Sequence, residues 1–179
     1  MGVSPVPEVS ARREGFLKAL RENGIERIPR LEVTVRFGSD AAYEAVSSLL
    51  NSHAEFDGIF SCSDVIAMSA MRALNERGRK IPADVAIVGF DDVPLAAYTT
   101  PPLTTIRQDW AVGARALVDQ VLREPTALTP DARVLSTELV VRASSLKEQY
   151  QPSPQNPVPE STRASGSAAR ARRPLHRGS

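Results

Sequence analysis

Apolar residues along this chain follow two rhythms in turn, a helical spacing of three and four and a strand-like alternation or short unbroken run. From Arg12 to Asn23 the residues Phe16, Leu17, Ala19 and Leu20 share one face, and Gly24 stands where such a helix stops. Leu31-Glu-Val-Thr-Val-Arg-Phe37 alternates and is rich in β-branched residues, which predicts a strand. Gly38-Ser39-Asp40 then opens a helix with Ala42, Val46, Leu49 and Leu50 inward. A second unit repeats the order. Phe56 to Ser61 reads as strand, Ser63 or Asp64 as N-cap, and Ala67, Ala70, Met71 and Leu74 as the buried face of a helix that stops at Gly78.

Asp84-Val-Ala-Ile-Val-Gly-Phe-Asp-Asp92 follows, an apolar strand that runs straight into two adjacent carboxylates. An irregular segment to Pro101-Pro102 leads to a short extended piece, Leu103 to Ile106. A helix from about Asp109 carries Trp110, Ala114, Leu117, Val118, Val121 and Leu122 and stops before Pro125, and an alternating strand spans Val134 to Arg142. Repeated strand–helix alternation predicts an α/β fold with a doubly wound parallel sheet and right-handed crossovers. The start is out of pattern. Val3-Ser-Pro-Val-Pro7 is too short and too Pro-rich to supply the edge strand that the first helix should follow, as if the chain began inside a fold.

Composition narrows the class. With 179 residues, 42% of them hydrophobic, the chain has room for one ordinary domain. Residues 146–179 carry no periodic apolar residues and are dominated by Gln, Pro, Ser, Ala and Arg, so the reading is a domain over 1–145 and a disordered tail over 146–179. The tail holds six basic and two acidic residues, so a net charge of +1 divides into +4 on the tail and −3 on the body. An acidic body is the wrong sign for phosphate contact. Cys62 alone rules out an internal disulfide, and His53 and His176 stand apart, so neither a metal site nor a cofactor is expected. Without a signal-like N-terminus or a run of about 18 apolar residues, the expectation is a soluble cytoplasmic protein that does not engage a membrane.

In a parallel sheet, ligands bind beyond the carboxyl ends of the strands. Four places should converge there: Arg12, Phe37, the stretch Ser61 to Asp64, and Asp91-Asp92. Carboxylate and guanidinium groups each make paired hydrogen bonds to neighbouring hydroxyls, and an aromatic face covers the apolar side of a sugar ring. Each residue also has a plainer reading. Asp64 suits a helix N-terminus, Phe37 suits a core, one of Asp91 and Asp92 suits the turn after its strand, and Arg12 suits a surface.

Taken in order, these segments resemble the sensor domain of LacI/GalR-type transcriptional repressors. The likeness is carried by Arg12-x-x-Gly15-Phe16-x-x-Ala19-Leu20, by Phe37, by Phe56-Asp-Gly-Ile-Phe60 and by Ser63-Asp64-x-x-Ala67-x-x-Ala70-Met-Arg-Ala-Leu74. Ile81-Pro82-x-Asp84-Val-Ala-Ile-Val-Gly-Phe-Asp-Asp92 and Pro102-Leu-Thr-Thr-Ile106-x-Gln-Asp109 complete it, over about residues 8–143. The resemblance implies a periplasmic-binding-protein-like core of two α/β lobes that closes on a small effector, usually a sugar or nucleoside-type molecule. It also implies a homodimer carrying paired helix-turn-helix heads.

By the same resemblance Arg12 and Asp91 are effector hydrogen-bonding positions and Phe37 is the stacking aromatic. Ser63-Asp64 lies at the cleft, with Ser63 where the family commonly has Asn, and Gln108 and Trp110 fall near the lobe crossover. Met68 and the stretch Leu95 to Tyr98 match dimer-contact positions. Nothing here resembles the helix-turn-helix, the hinge helix or the first half of the sensor core, so one nearly complete lobe and a fragment of the second are expected. The helix after Asp109 should then expose Leu117, Val118, Val121 and Leu122. Two other readings compete. One makes Asp64, Asp91 and Asp92 a Mg²⁺-binding cluster for phosphoryl transfer, as in receiver-type domains, but it lacks an activating Lys or a Gly-rich phosphate loop. The other, a sugar-transport binding protein, calls for an export signal.

Overall fold

A computed structural model of the chain describes residues 7–35, 39–122 and 134–147, all within the compact unit Met1–Glu148. Helix α1 spans Pro7–Glu22, five residues earlier than the apolar spacing predicts. Proline at the first helical turn costs no hydrogen bond, and Glu8 beside it complements the helix dipole, so Pro7 opens the helix. At the other end Ile25 N–H donates to Leu20 C=O and Gly24 N–H to Arg21 C=O, with Gly24 at φ +65°. This is the paired closure that favours glycine after a helix.

The strand expected over Leu31–Phe37 is the main correction to the fold. Pro29–Leu31 forms a 3₁₀ turn, and Glu32 is gripped by Arg13 (2.9 Å) and by Arg27. Among the described residues beyond it, 33–35, Thr34 alone makes a β-bridge, and Phe37 lies outside the described residues. The alternation still reports side correctly, since Val35 is buried and Val33 half-buried against Ala42 and Ile66 while Thr34 is exposed. Alternation fixes which side chains turn inward; it does not supply an aligned neighbouring backbone.

Helix α2 (Ser39–Asn51) buries Ala42 and Val46 as expected, with Leu49 and Leu50 half-buried. It ends on His53 at φ +55°, in the conformation that Gly24 takes after α1. Strand β1 is Gly58–Phe60, and helix α3 is Asp64–Glu76. Ala67, Ala70, Met71 and Leu74 are all buried, and together with Val46, Val85, Ile87, Ala96 and Leu103 they form the main core. Gly78 at φ +70° closes α3 in the manner of Gly24.

Strand β2 (Ala86–Asp91) pairs in parallel with β1 and with β3 (Thr104–Gln108). Its side chains sort by parity. Ile87 and Gly89 face α3, while Phe90 faces α1, where the Arg12 guanidinium sits 3.7 Å from its ring centre. Phe60 of β1 likewise stacks on Phe16 of α1 at 5.2 Å. Helices therefore cover both faces, as a doubly wound sheet requires.

Strand β4 (Thr137–Val140) departs from the parallel expectation. It runs antiparallel to β3, Thr105 opposite Val140 and Gln108 opposite Thr137, so the sheet is mixed, in the order β1-β2-β3-β4. A crossover returns a chain in parallel when its helix packs back on the sheet. Helix α4 (Trp110–Leu122) buries none of its residues, so that constraint is missing. The expected tail overlaps the description only at Leu146 and Lys147; Lys147 Nζ lies 3.9 Å from Asp57. Among the described residues no helix is long and apolar enough to cross a membrane.

Helix α4 exposes Leu117 at 66% and Val121 at 83%, with Val118 and Leu122 beside them. An apolar stripe of this kind drives association. The 179-residue chain is expected to self-associate with rising concentration in light scattering, and Leu117→Lys with Val121→Lys to reduce it. A concentration-independent monomer with a sharp unfolding transition would contradict this.

Candidate functional site

The exits of β2 and β3 form the rim. Asp91 ends β2 opposite Arg107, and its backbone is left-handed at φ 111°, with Asp92 following at φ 50°. Two non-glycine residues in this region hold their conformation only when their surroundings impose it. The turn brings the Asp91 carboxylate to Arg12, at 3.8 Å, and to Gln108, whose Nε2 donates to it at 3.3 Å. Arg12 is itself placed by two further contacts. Its Nη1 donates to the Cys62 carbonyl at 2.7 Å, and its plane lies over Phe90. Thus α1, the β1–α3 turn, β2 and β3 meet around one guanidinium–carboxylate pair.

Burial pushes the Asp91 carboxyl above its ordinary range; Arg12 pulls the other way, and the negative charge of Asp64 adds to the rise. Asp92 behaves oppositely. Burial alone would raise it, but Arg142 (2.7 Å) and Arg107 (2.6 Å), one on each oxygen, together hold it low. Arg142 also donates to the Leu103 carbonyl at 2.7 Å, and Arg107 reaches Glu138 of β4 at 3.5 Å. Of the two adjacent carboxylates, Asp92 is the one that holds structure, and it does so through arginines rather than its own turn.

The cap expected of Ser63 or Asp64 belongs to Ser63. Its hydroxyl accepts from Ile66 N–H at 3.4 Å, and the residue is buried. Asp64 is fully buried at the first helical position, accepting from Thr105 Oγ1 at 2.6 Å and from Val93 N–H at 2.9 Å. Desolvation raises its pKa, and these hydrogen bonds oppose the rise. The three carboxylates therefore have separate partners and do not converge as a Mg²⁺ cluster. Among the described residues no group of three His, Cys, Asp or Glu side chains is placed to hold a metal ion.

Trp110 begins α4 just beyond Gln108 and is mostly exposed. Of the expected dimer positions, Tyr98 is 80% exposed and Leu95 also projects, both on a 3₁₀ turn Pro94–Tyr98, while Met68 is half-buried against the main core. Phe90, Thr105, Arg107 and Arg142 were not singled out from sequence. Parity along β2 carries a signal for Phe90, since it falls on the face opposite Gly89. Register alone brings Thr105 beside Gly89 and Arg107 to the end of β2, whereas Arg142 reaches Asp92 from the segment that follows β4. Two shallow clefts of about 350 and 430 Å³ lie away from this rim, around Glu55 and Arg79 near the N-terminal end of β1.

The signs of these three shifts predict a pH signature. Asp92, held low, adds stability that is complete above its ordinary value of 3.8 and is lost as pH falls through its folded value. Asp64 and Asp91, held high, cost stability as pH rises from 3.8 through theirs. Asp92→Asn is expected to cost about 1–2 kcal/mol at pH 7, discounting the exposed Arg107. Urea unfolding of dilute protein checks this, and the gap to wild type should narrow as pH drops below 3.8.

Residues 2–145 match the periplasmic binding protein-like domain family. The ribose operon repressor of Halalkalibacterium halodurans is 36% identical over 148 residues, 80% of this chain and 42% of that protein. The transcriptional regulator CelR of Thermobifida fusca is 36% identical over 137 residues, 74% of this chain and 40% of that protein. Among solved structures, the lac repressor dimer bound to operator and the anti-inducer ONPF superposes with a TM-score of 0.72 at 29% identity, covering 78% of this chain and 49% of that one. A CelR–cellobiose complex superposes at 0.69 with 32% identity, covering 80% and 46%. The chain spans about two fifths of the length of these curated relatives. With the mixed α/β sheet and the rim at its strand exits, these likenesses establish that the chain belongs to the periplasmic binding protein-like domain family, in the branch formed by LacI/GalR-type sensor domains.

Proposed function

We propose that this chain supplies one wall of the effector cleft in a LacI/GalR-type DNA-binding transcriptional regulator, and that the effector is a sugar or similar small polar molecule. The observation that carries the reading is the convergence of Arg12, Asp91 and Gln108 at the exits of β2 and β3. A guanidinium, a carboxylate and an amide within one hydrogen-bonded group offer donors and acceptors in the density that vicinal hydroxyls require. Phe37 is the proposed stacking face, and Trp110 borders the same rim. Ser63 and Asp64 are given structural rather than ligand-contacting roles, because their side-chain oxygens are buried and already bonded.

The role is sensing rather than catalysis. Effector binding shifts the balance between two lobe arrangements, by no more than its difference in affinity for them, and so changes DNA affinity at a helix-turn-helix head that lies outside these residues. Met68, Leu95 and Tyr98 are the proposed homodimer contacts, and the proposed working compartment is the cytoplasm.

One wall leaves half of a sugar's hydroxyls in water, so weak binding is expected from this chain alone. Saturation-transfer NMR with D-ribose and with cellobiose, the sugar in the CelR complex, should give millimolar dissociation constants. Arg12→Ala and Asp91→Ala are each expected to weaken the bound sugar about tenfold or more, whereas Arg79→Ala, in the distant cleft, is neutral. Micromolar affinity would refute the two-wall argument, and transfer unaffected by the rim variants would refute the site.

A further inference from the structure

Gly89 sits inside a strand whose neighbours are apolar, and the reason is Asp64. A Cβ built on Gly89 would lie 2.2 Å from Asp64 Oδ1 and 3.1 Å from Leu103. The carboxylate therefore occupies the place of the missing side chain, directly over the β2 backbone. It is held there on both oxygens. Thr105, the residue paired with Gly89 across the sheet, donates to Oδ1 at 2.6 Å, and Val93 N–H donates to Oδ2 at 2.9 Å. A buried carboxylate is costly when its bonds are left unmade, so this is an expensive group to keep on a mostly apolar helix face.

What it holds is the segment immediately after β2. Asp91 and Asp92 are the two consecutive left-handed residues, and Val93, gripped by Asp64, is the next. Thr105 Oγ1, while donating to Asp64, also accepts from Asp92 N–H at 3.3 Å. One buried side chain and its hydroxyl partner thus bind the backbone within the strained pair, at Asp92 N–H, and just beyond it, at Val93 N–H. The near side is fixed by the sheet. With both ends fixed, the direction in which Asp91 projects is set, and it projects to Arg12 and Gln108.

We infer that Asp64 is a positioning residue of the effector site: it touches no ligand, and it locks the turn that aims Asp91 at the rim, with Gly89 as the cradle that admits it. The inference rests on the reading of Asp91 as an effector-binding carboxylate. It revises the expectation, drawn from the Ser63-Asp64 pair, that this carboxylate faces the cleft.

The test uses the 179-residue chain as wild type, Asp64→Asn and Thr105→Val. The Asn keeps shape but has one acceptor oxygen for the two donors, Thr105 Oγ1–H and Val93 N–H; the Val removes the hydroxyl that donates to Asp64 and accepts from Asp92 N–H, and leaves the charge. Hydrogen-exchange mass spectrometry should show the segment 91–95 exchanging about tenfold faster or more in Asp64→Asn, and less markedly so in Thr105→Val. Peptides from the middle of α3 and from β1 should change by less than about twofold. D-ribose and cellobiose titrations on the same proteins should weaken in parallel, although no contact to sugar has been removed. Unchanged exchange at 91–95, or acceleration spread evenly over α3 and the sheet, would overturn the positioning role, as would local loosening with unchanged sugar affinity. If Asp64→Asn fails to fold, Thr105→Val carries the same comparison. Wild type that binds neither sugar would count against the effector reading of the rim, while the exchange pattern still decides whether Asp64 locks the turn.

Discussion

The in-register parallel pairing of β2 with β3 is the constraint on which everything else in this lobe depends. It sets Gly89 beside Thr105 and Asp91 beside Arg107, and so decides which side chains can share a hydrogen bond across the sheet. A slip of one residue would turn Thr105 to the opposite face and leave the buried Asp64 carboxylate without its hydroxyl donor. The same slip would separate Gln108 from Asp91. Register here is specified by burial on both faces, with Ile87 fitted into the core beneath α3 and Phe90 fitted beneath Arg12.

From that pairing the rim acquires two carboxylates of opposite character at adjacent positions. Asp92 is bound on each oxygen by an arginine and serves the fold, tying the β2 exit to β3 and to the segment after β4. Asp91 has a more distant ion-pair partner and one long hydrogen bond, so part of its bonding capacity is open to a ligand. A difference in partner geometry thus separates a structural group from a binding group. The left-handed backbone at both residues turns them apart, which chemical identity alone would not have done.

Much of this was legible in the sequence because it rests on local rules. The spacing of Ala67, Ala70, Met71 and Leu74, the N-cap at Ser63 and the glycines at 24 and 78 each act within one element. The meeting of Arg12 with Asp91 was legible too, given that parallel strands share an exit edge. Features that depend on two distant segments were not. Glu32, clasped by Arg13 and Arg27, interrupts a run whose residues favour a strand, and no local pattern announces the antiparallel return of β4. Asp64 looked like a cap because helix N-termini attract carboxylates, and only the register that sets Thr105 beside Gly89 reveals its other partners.

The segment that follows β4 also has a bearing on the order in which this lobe is made. Ser144 donates its hydroxyl to the Ile87 carbonyl, its own carbonyl accepts from Ile87 N–H, and its hydroxyl accepts from Thr104 N–H, so a residue 57 positions downstream finishes the ladder of the central strand. On a ribosome, α2 and α3 have their partners early, whereas β2 must wait with open donors and acceptors until Ser144 has emerged. The interval between the emergence of β2 and that of Ser144 is therefore the one in which this sheet is most exposed to mispairing and to chaperone capture.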